Sequence, residues 1–401
     1  WLLDPYNITI ASSAPSGTAY GSNYTSAADS VILASDISAN LTAGTSVTIA
    51  TGAGGASAGD INVNANIEKS GGADATLTLK AHNNIVVAAN TTITSTAGKL
   101  NVALNSDSDG SLFGSIAMNS GSGITSNGGN IRLSGGLYHD TNLSWSYGTA
   151  TTPHGISLTS TQISAGGGNI SLRGASMTGS YLGHGVGITG GSIGTTGGGF
   201  IDIQGYATAE QGFSSGIAVL GANITGGSTG TTRLIGTNAS NSNTNRQQGV
   251  WLNDAAGVTS LVTSTGGSVT VTGFGGGSST GTNNFNYGVA VQNGLIASGG
   301  TGTVNVTGTG GTTTGINNAG VAFNGSSLSN GISSSGGVIN VTGTGGAGGL
   351  SPGVWFVSGL NGSIQSGSNA AINLTTDSLV MESGAINAGS GMVTIQNRTT
   401  G

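Results

Sequence analysis

Two stretches of this 401-residue chain gather side chains able to act on a substrate. The first is Asn105-Ser106-Asp107-Ser108-Asp109-Gly110, where Asp107 and Asp109 form the one close pair of carboxylates. Alternate carboxylates before a glycine are a piece of a calcium loop, but the distal glutamate of such a loop is missing. A plain turn is therefore the preferred reading. The second is 137–155, LYHDTNLSWSYGTATTPHG, which holds Tyr138, His139, Asp140, Trp145, Tyr147 and His154. A carboxylate beside an imidazole can orient it as a base, yet no nucleophile signature accompanies the pair. The four histidines are scattered without His-x₃-His spacing and cysteine is absent, so neither a metal site nor a cofactor is expected. The chain reads as a non-enzyme without catalytic residues. Tyr138, Trp145 and Tyr147 are kept as candidate contacts to a ligand or partner from a decorated loop. A loop that only covers its neighbours is the plainer alternative.

Charge narrows the field further. Eight Lys and Arg against fourteen Asp and Glu leave a net charge of −6 and no basic stripe, so no nucleic-acid partner is expected. Thinly spread carboxylates disfavour a polysaccharide-cleaving enzyme, which needs clustered acids. No run of 18 apolar residues exists.

The scaffold must come from glycine, which supplies 78 residues, and from short alternating clusters of Val, Ile and Leu. NVTGTGG at 305–311 returns letter for letter at 340–346. Clusters of the form apolar–x–apolar recur in threes, which we call A, B and C: Ile156-Ser157-Leu158, Ile163, Ile170-Ser171-Leu172; Val289-Ala290-Val291, Ile296, Val304-Asn305-Val306; Val321-Ala322-Phe323, Ile332, Ile339-Asn340-Val341. In the unit of Val250-Trp251-Leu252 and Val269-Thr270-Val271, Leu261 takes the B position. Each cluster is a strand with one buried face. Glycines follow B and C, where a bend needs positive φ or no Cβ. Helix periodicity is not found. Repetition in one direction points to an all-β, right-handed parallel β-helix (β-solenoid) with triangular coils and variable loops at one vertex. Residues 1–115 read as less regular coils and 116–401 as regular repeats of one continuous solenoid. One coil per 35-residue unit is preferred over two, giving about 12–14 coils and a rod of roughly 60 Å.

The middle letters of the clusters face outward. In column C they are Arg132, Ser171, Asp202, Arg233, Thr270, Asn305, Asn340, Asn373 and Thr394, a solvated face. In column A they are Ala117, Ser157, Gly187, Ala218, Trp251, Ala290, Ala322, Trp355 and Val380, small or apolar. An apolar strip is seldom left bare. Either the loops between C and A fold over it, or Trp251 and Trp355 anchor a partner or stack on a sugar.

The opening WLLDPYNITI, the run ATLTLKAHNNIVVAANTTITSTAGKLNVALNSDSDG (75–110), IAMNSGSGITSNGGNIRLSGG (116–136) and the later units ending INVTGTGG resemble filamentous-haemagglutinin-like exoproteins of two-partner secretion. The resemblance covers essentially the whole chain. It implies a right-handed β-helix outside a Gram-negative bacterium or on its outer-membrane surface, exported through a dedicated outer-membrane secretion barrel. The family's amino-terminal recognition domain is not visible before Trp1, which fits a fragment or a processed chain. Members are associated with adhesion, aggregation, biofilm matrix and, in some cases, contact-dependent toxicity. The expected function is thus a surface adhesin or stalk, with host or bacterial surface glycans or proteins as partners. The alternative is a structural filament or biofilm-matrix polymer, formed by self-association of rods through uncapped ends or face A.

Overall fold

The computed structural model describes residues 7–13, 29–52, 57–137, 145–149, 152–177, 182–208, 212–326 and 330–398. It is a parallel β-helix. Two parallel sheets, of 22 and 13 strands, run the length of the molecule. The larger one contains both columns A and B, because Ile156–Ser164 and Val186–Gly194 pass from A to B without a break. The smaller sheet is column C. One of its 13 members, Ser146–Tyr147, pairs off the main path, leaving 12 stacked strands from Val47–Ala50 to Val393–Asn397. At about 4.8 Å per layer the stack is about 50 Å tall.

The two NVTGTGG copies lie on adjacent strands, with Val304 beside Ile339, Asn305 beside Asn340 and so on to Thr309 beside Thr344. One 35-residue unit therefore makes one coil. Column C pairs Arg132, Ser171, Asp202, Arg233, Thr270, Asn305, Asn340, Asn373 and Thr394 in sequence. Column A pairs Ala117 through Val380 as expected. Pairing also continues across residue 115, from Ile85–Val87 to Ile116–Met118 and from Leu100–Ser106 to Ile131–Gly135. In column B one residue differs. Ile224 pairs with Val262, which is fully buried, so Val262 rather than Leu261 faces the core. Both letters are apolar, and alternation alone does not choose between them.

Glycine sets the shape of the coil at two corners. Where strand C ends and the next strand A begins, two glycine columns press together. A Cβ on Gly308 would lie 2.0 Å from the Gly320 carbonyl oxygen, and one on Gly343 would lie 2.1 Å from that of Gly353. Gly205 with Gly216, Gly236 with Gly249 and Gly273 with Gly288 repeat the contact at 1.9, 2.1 and 2.0 Å. Neither column has positive φ at these positions, so the demand is for space between two backbones and not for a left-handed turn. This neck closes the core while the loop beyond it projects outward. At the B-to-C corner a third glycine column stacks coil on coil: a Cβ on Gly337 would lie 2.0 Å from Gly302 O, and one on Gly168 2.1 Å from Gly129 O.

Inside, aliphatic side chains fill the coil. Val304, Val306, Val321, Phe323 and Ile332 are at most 1% exposed. Phe323 and Phe356 stack with centroids 4.6 Å apart. The corner after B is polar within: the Ser126 hydroxyl donates to Gly129 O at 2.6 Å and the Ser298 hydroxyl to Gly267 O at 3.2 Å. Lys69 takes the same place lower in the rod. Fully buried, its ammonium donates to the carbonyls of Gly71, Gly72 and Ala97. Outside, Asn340 Nδ2 donates to Asn305 Oδ1 at 2.8 Å and Asn373 Nδ2 to Asn340 Oδ1 at 2.9 Å. On the same face Arg233 grips Asp202 with two bonds of 2.9 Å, and Arg173 Nη2 lies 3.5 Å from the same carboxylate.

The amino-terminal end departs from the sequence reading in two ways. The strand Ile8–Ala11 lies between Ser30–Leu33 and Ile61–Val63, so the second strand in sequence is the outermost of column A. A helix then occupies the B position of that coil: α1, Ala34–Thr42. Its Ala34, Ile37 and Leu41 are buried and close the core at that end. Ser38 breaks the i, i+3, i+4, i+7 pattern, which hides so short a helix from periodicity. No helix among the described residues is long and apolar enough to cross a membrane.

Gly308→Ala is expected to destabilise the rod by about 1–3 kcal/mol, because two backbones must separate to admit one methyl group. Gly349→Ala, where an added Cβ meets nothing within 4 Å, is expected to stay within about 0.5 kcal/mol of the parent. Urea unfolding of both variants under one set of conditions checks the difference.

Candidate functional site

The variable loops leave the rod at the C-to-A neck, and near its amino-terminal third they form a groove. After the loop that follows Gly135, the chain returns as Ser146–Tyr147, which pairs in parallel with Gly174 and Ala175. Ser146 is fully buried in the neck, its hydroxyl bonded to Ser106 Oγ at 2.7 Å and to Gly155 O at 2.8 Å. Its neighbours Trp145 and Tyr147 are thereby held on the outer side. Tyr206, one coil further on, sits beside Ala175 in the register, and its ring lies 6.2 Å from that of Trp145 at 49°. Together with Phe113 and Met177 these rings wall a cavity of about 480 Å³, with the hydroxyls of Ser111, Ser176 and Thr208 at its edge. Phe113 and Tyr206 are substantially exposed.

Asp107 stands behind this wall. It has a φ of 49°, a left-handed turn conformation that aspartate and asparagine tolerate better than most residues. Its Oδ1 accepts from Ser111 Oγ at 3.0 Å and Phe113 N at 3.3 Å, which fixes the Ser111–Phe113 side of the groove. Its Oδ2 is buried and has no hydrogen-bond partner. Burial, with Asp109 nearby, pushes its carboxyl up to about 6. Burial next to Asp107 and Tyr206 raises the Tyr147 phenol as well. The Asp107–Asp109 pair is thus the turn that shapes a groove. No group of three His, Cys, Asp or Glu stands close enough to share a metal ion among the described residues.

The loop residues singled out from the sequence separate in space. Trp145 and Tyr147 enter the groove. Tyr138, His139 and Asp140 lie outside the described residues. His154 belongs to column A, where its ring stacks on His184 with centroids 5.1 Å apart and planes at 5°. His154 Nδ1 accepts from His184 N, and His184 Nδ1 from Ser215 N, at 2.9 and 3.1 Å. Burial lowers both imidazoles, His184 to about 3, so this is a neutral ladder of backbone acceptors.

Trp251 and Trp355 form two similar clips on face A. The indole of Trp251 reaches across the coil of Ala218 to His184, with centroids 6.3 Å apart, and its Nε1 donates to Gln292 Oε1 at 2.6 Å. The indole of Trp355 reaches across the coil of Ala322 to Tyr287, edge-on at 6.4 Å. Ala218, Ala290 and Ala322 are fully buried beneath, and Trp355 is only 9% exposed. The chain's own aromatic residues therefore cover the apolar strip. The sequence reading missed Phe113, Met177 and Tyr206 in the groove. Column C held a signal for the last of these, since Gly174-Ala175 and Gly205-Tyr206 occupy matching places after successive C strands. No protein-family model matches this chain, and no curated protein matches it.

Asp107→Asn tests the buried acid. The folded-state value lies above that of free aspartate, so the acid's contribution is fully present below about pH 4 and is lost as pH rises through about 6. Asparagine suits the same backbone and carries no charge. The variant is expected to be more stable than the parent by about 2 kcal/mol at pH 8 and no more stable at about pH 4. Urea unfolding at the two pH values measures this.

Proposed function

We propose that this chain is the rod of an exported bacterial surface adhesin, holding a ligand-binding groove away from the cell on a β-helical stalk. The observation that carries the reading is the aromatic groove of Phe113, Trp145, Tyr147 and Tyr206 at the neck where the loops emerge. Rings fixed by a stacked backbone, rimmed by hydroxyls, suit a surface glycan, whose sugars offer apolar C–H faces and hydroxyl edges. Host or bacterial surface glycans or proteins are the proposed partners. Secretion through an outer-membrane barrel and an extracellular or outer-membrane location belong to the same proposal and rest on the sequence resemblance.

A second reading is a filament or matrix polymer built from stacked rods, joined through their ends or face A. Against head-to-tail stacking stands α1, which presents a helix where column B of an incoming coil would need a strand. The adhesin reading is therefore preferred.

Trp145→Ala/Tyr206→Ala is expected to reduce binding of the purified chain to a glycan array, or to cells, at least about tenfold. Circular dichroism and sedimentation should match the parent, because both side chains lie outside the core. Undiminished binding would remove the groove from the function. Concentration-dependent fibres of the parent in electron micrographs would favour the polymer.

A further inference from the structure

A second, smaller cavity lies on face A, at the seam between the two aromatic clips. It measures about 180 Å³, roughly the space of six waters. That is room for one small ring. We propose that it binds a single sugar residue bearing a carboxylate. The argument is independent of the groove, which is built by different loops.

The walls are aromatic. Tyr287 meets Trp355 edge-on, and Phe285 meets Tyr287 the same way with centroids 6.3 Å apart. Such a corner suits the C–H face of a pyranose.

Three of the polar groups are donors, and a fourth is an acceptor: Asn324 lines the cavity, and its buried Oδ1 has no hydrogen-bond partner among the described residues, so it can take a sugar hydroxyl. Gln248 lines the cavity although it is only 3% exposed. Its Oε1 accepts from Ser215 Oγ at 3.3 Å, which leaves the amide nitrogen without a partner among the described residues. Gln292 also lines the cavity, and its Oε1 is taken by the Trp251 indole. That bond fixes the amide so that its NH₂, without a partner among the described residues, can donate into the cavity. Arg246 stands at the mouth, its guanidinium 5.1 Å from the centre of the Phe213 ring and in no ion pair among the described residues. Two glutamine donors and one cation, with both glutamine oxygens engaged, select a ligand rich in acceptors and negatively charged, while the Asn324 oxygen accepts one of its hydroxyls. A neutral sugar leaves the guanidinium unmatched. A bare carboxylate leaves the aromatic corner unused. An acidic monosaccharide unit, free or at a glycan terminus, uses both.

The test titrates the 401-residue chain with methyl β-D-glucuronide, methyl β-D-glucoside and acetylglycine. Saturation-transfer NMR and tryptophan fluorescence are the readouts. The glucuronide is expected to bind with a Kd on the order of 1 mM. The neutral glucoside and acetylglycine are expected to bind at least about tenfold more weakly, and added salt should narrow the gap. Arg246→Gln, at an exposed position, should abolish the preference for the acid without lowering the melting temperature. Gln248→Leu should weaken both sugars. The Trp145→Ala/Tyr206→Ala chain should bind glucuronide as the parent does, so failure of the groove leaves this site standing. The proposal is overturned if the glucoside or acetylglycine binds as well as the glucuronide. It is equally overturned if Arg246→Gln keeps the preference, if the groove variant loses the signal, or if no probe binds.

Discussion

Backbone packs directly against backbone at the C-to-A neck, and the rest of the architecture depends on it. With the Gly308 and Gly320 columns in contact, the core ends at a fixed distance from the axis in six successive coils, from Gly174–Gly185 to Gly343–Gly353. Whatever the chain does beyond the neck cannot reach the interior. Loops of different length and content then attach to an unchanging coil, and each coil stacks on the next with its pairing undisturbed. The repeated phrase has a physical meaning in these terms. In Val-Thr-Gly-Thr-Gly-Gly the valine fills the core, the first threonine faces solvent and the first glycine forms the neck.

Stacking like on like lets weak interactions accumulate. The Asn305–Asn340–Asn373 ladder, the Ser126 and Ser298 hydroxyls that donate to Ala165 O and Gly267 O, and the His154–His184–Ser215 series are each made by a side chain serving the adjacent coil. A typical hydrogen bond contributes about 1 kcal/mol net, and a shift by one residue would break a whole column of them while turning the core outward. Register is thereby fixed without charge. The Arg173–Asp202–Arg233 cluster is the exception and sits where column C carries charged letters instead of amides.

Columns A and C could be read from the sequence because apolar–x–apolar clusters leave one possible middle letter, and each such letter lies beside its counterpart in the next coil. Ambiguity entered where that condition failed. At Leu261-Val262 two adjacent apolar residues allowed either phase. At the amino terminus the insertion of Ile8–Ala11 between later strands is a long-range event with no local mark. The helix α1 has only three buried contacts in nine residues, too few for a period. Lys69 counts as charged in any composition, yet three carbonyls surround it, and no sequence pattern announces a corner left open by glycines. The groove was half legible. Trp145 and Tyr147 stood out as aromatic residues in a polar loop, whereas Phe113 and Tyr206 join them only because separate loops leave the rod at one vertex.

Face A shows how an invariant coil acquires particular surfaces. Trp251 and Trp355 each occupy an outward position that is alanine or glycine in most other coils, and each covers a small neighbour toward the amino terminus. In the first clip the partner ring is His184, backed by His154 in a stack with planes at 5°. In the second the partner is Tyr287, with Phe285 set edge-on beside it. Edge-on rings fill a corner less completely than stacked ones, and the space between them is the small cavity at the seam. The difference lies wholly outside the strand ladder, since both tryptophans pair in register with their alanine neighbours. A fold whose interior is closed by glycine can therefore vary its exterior one coil at a time. A cavity arises where an aromatic clip is left incompletely filled, without any change to the residues that hold the rod together.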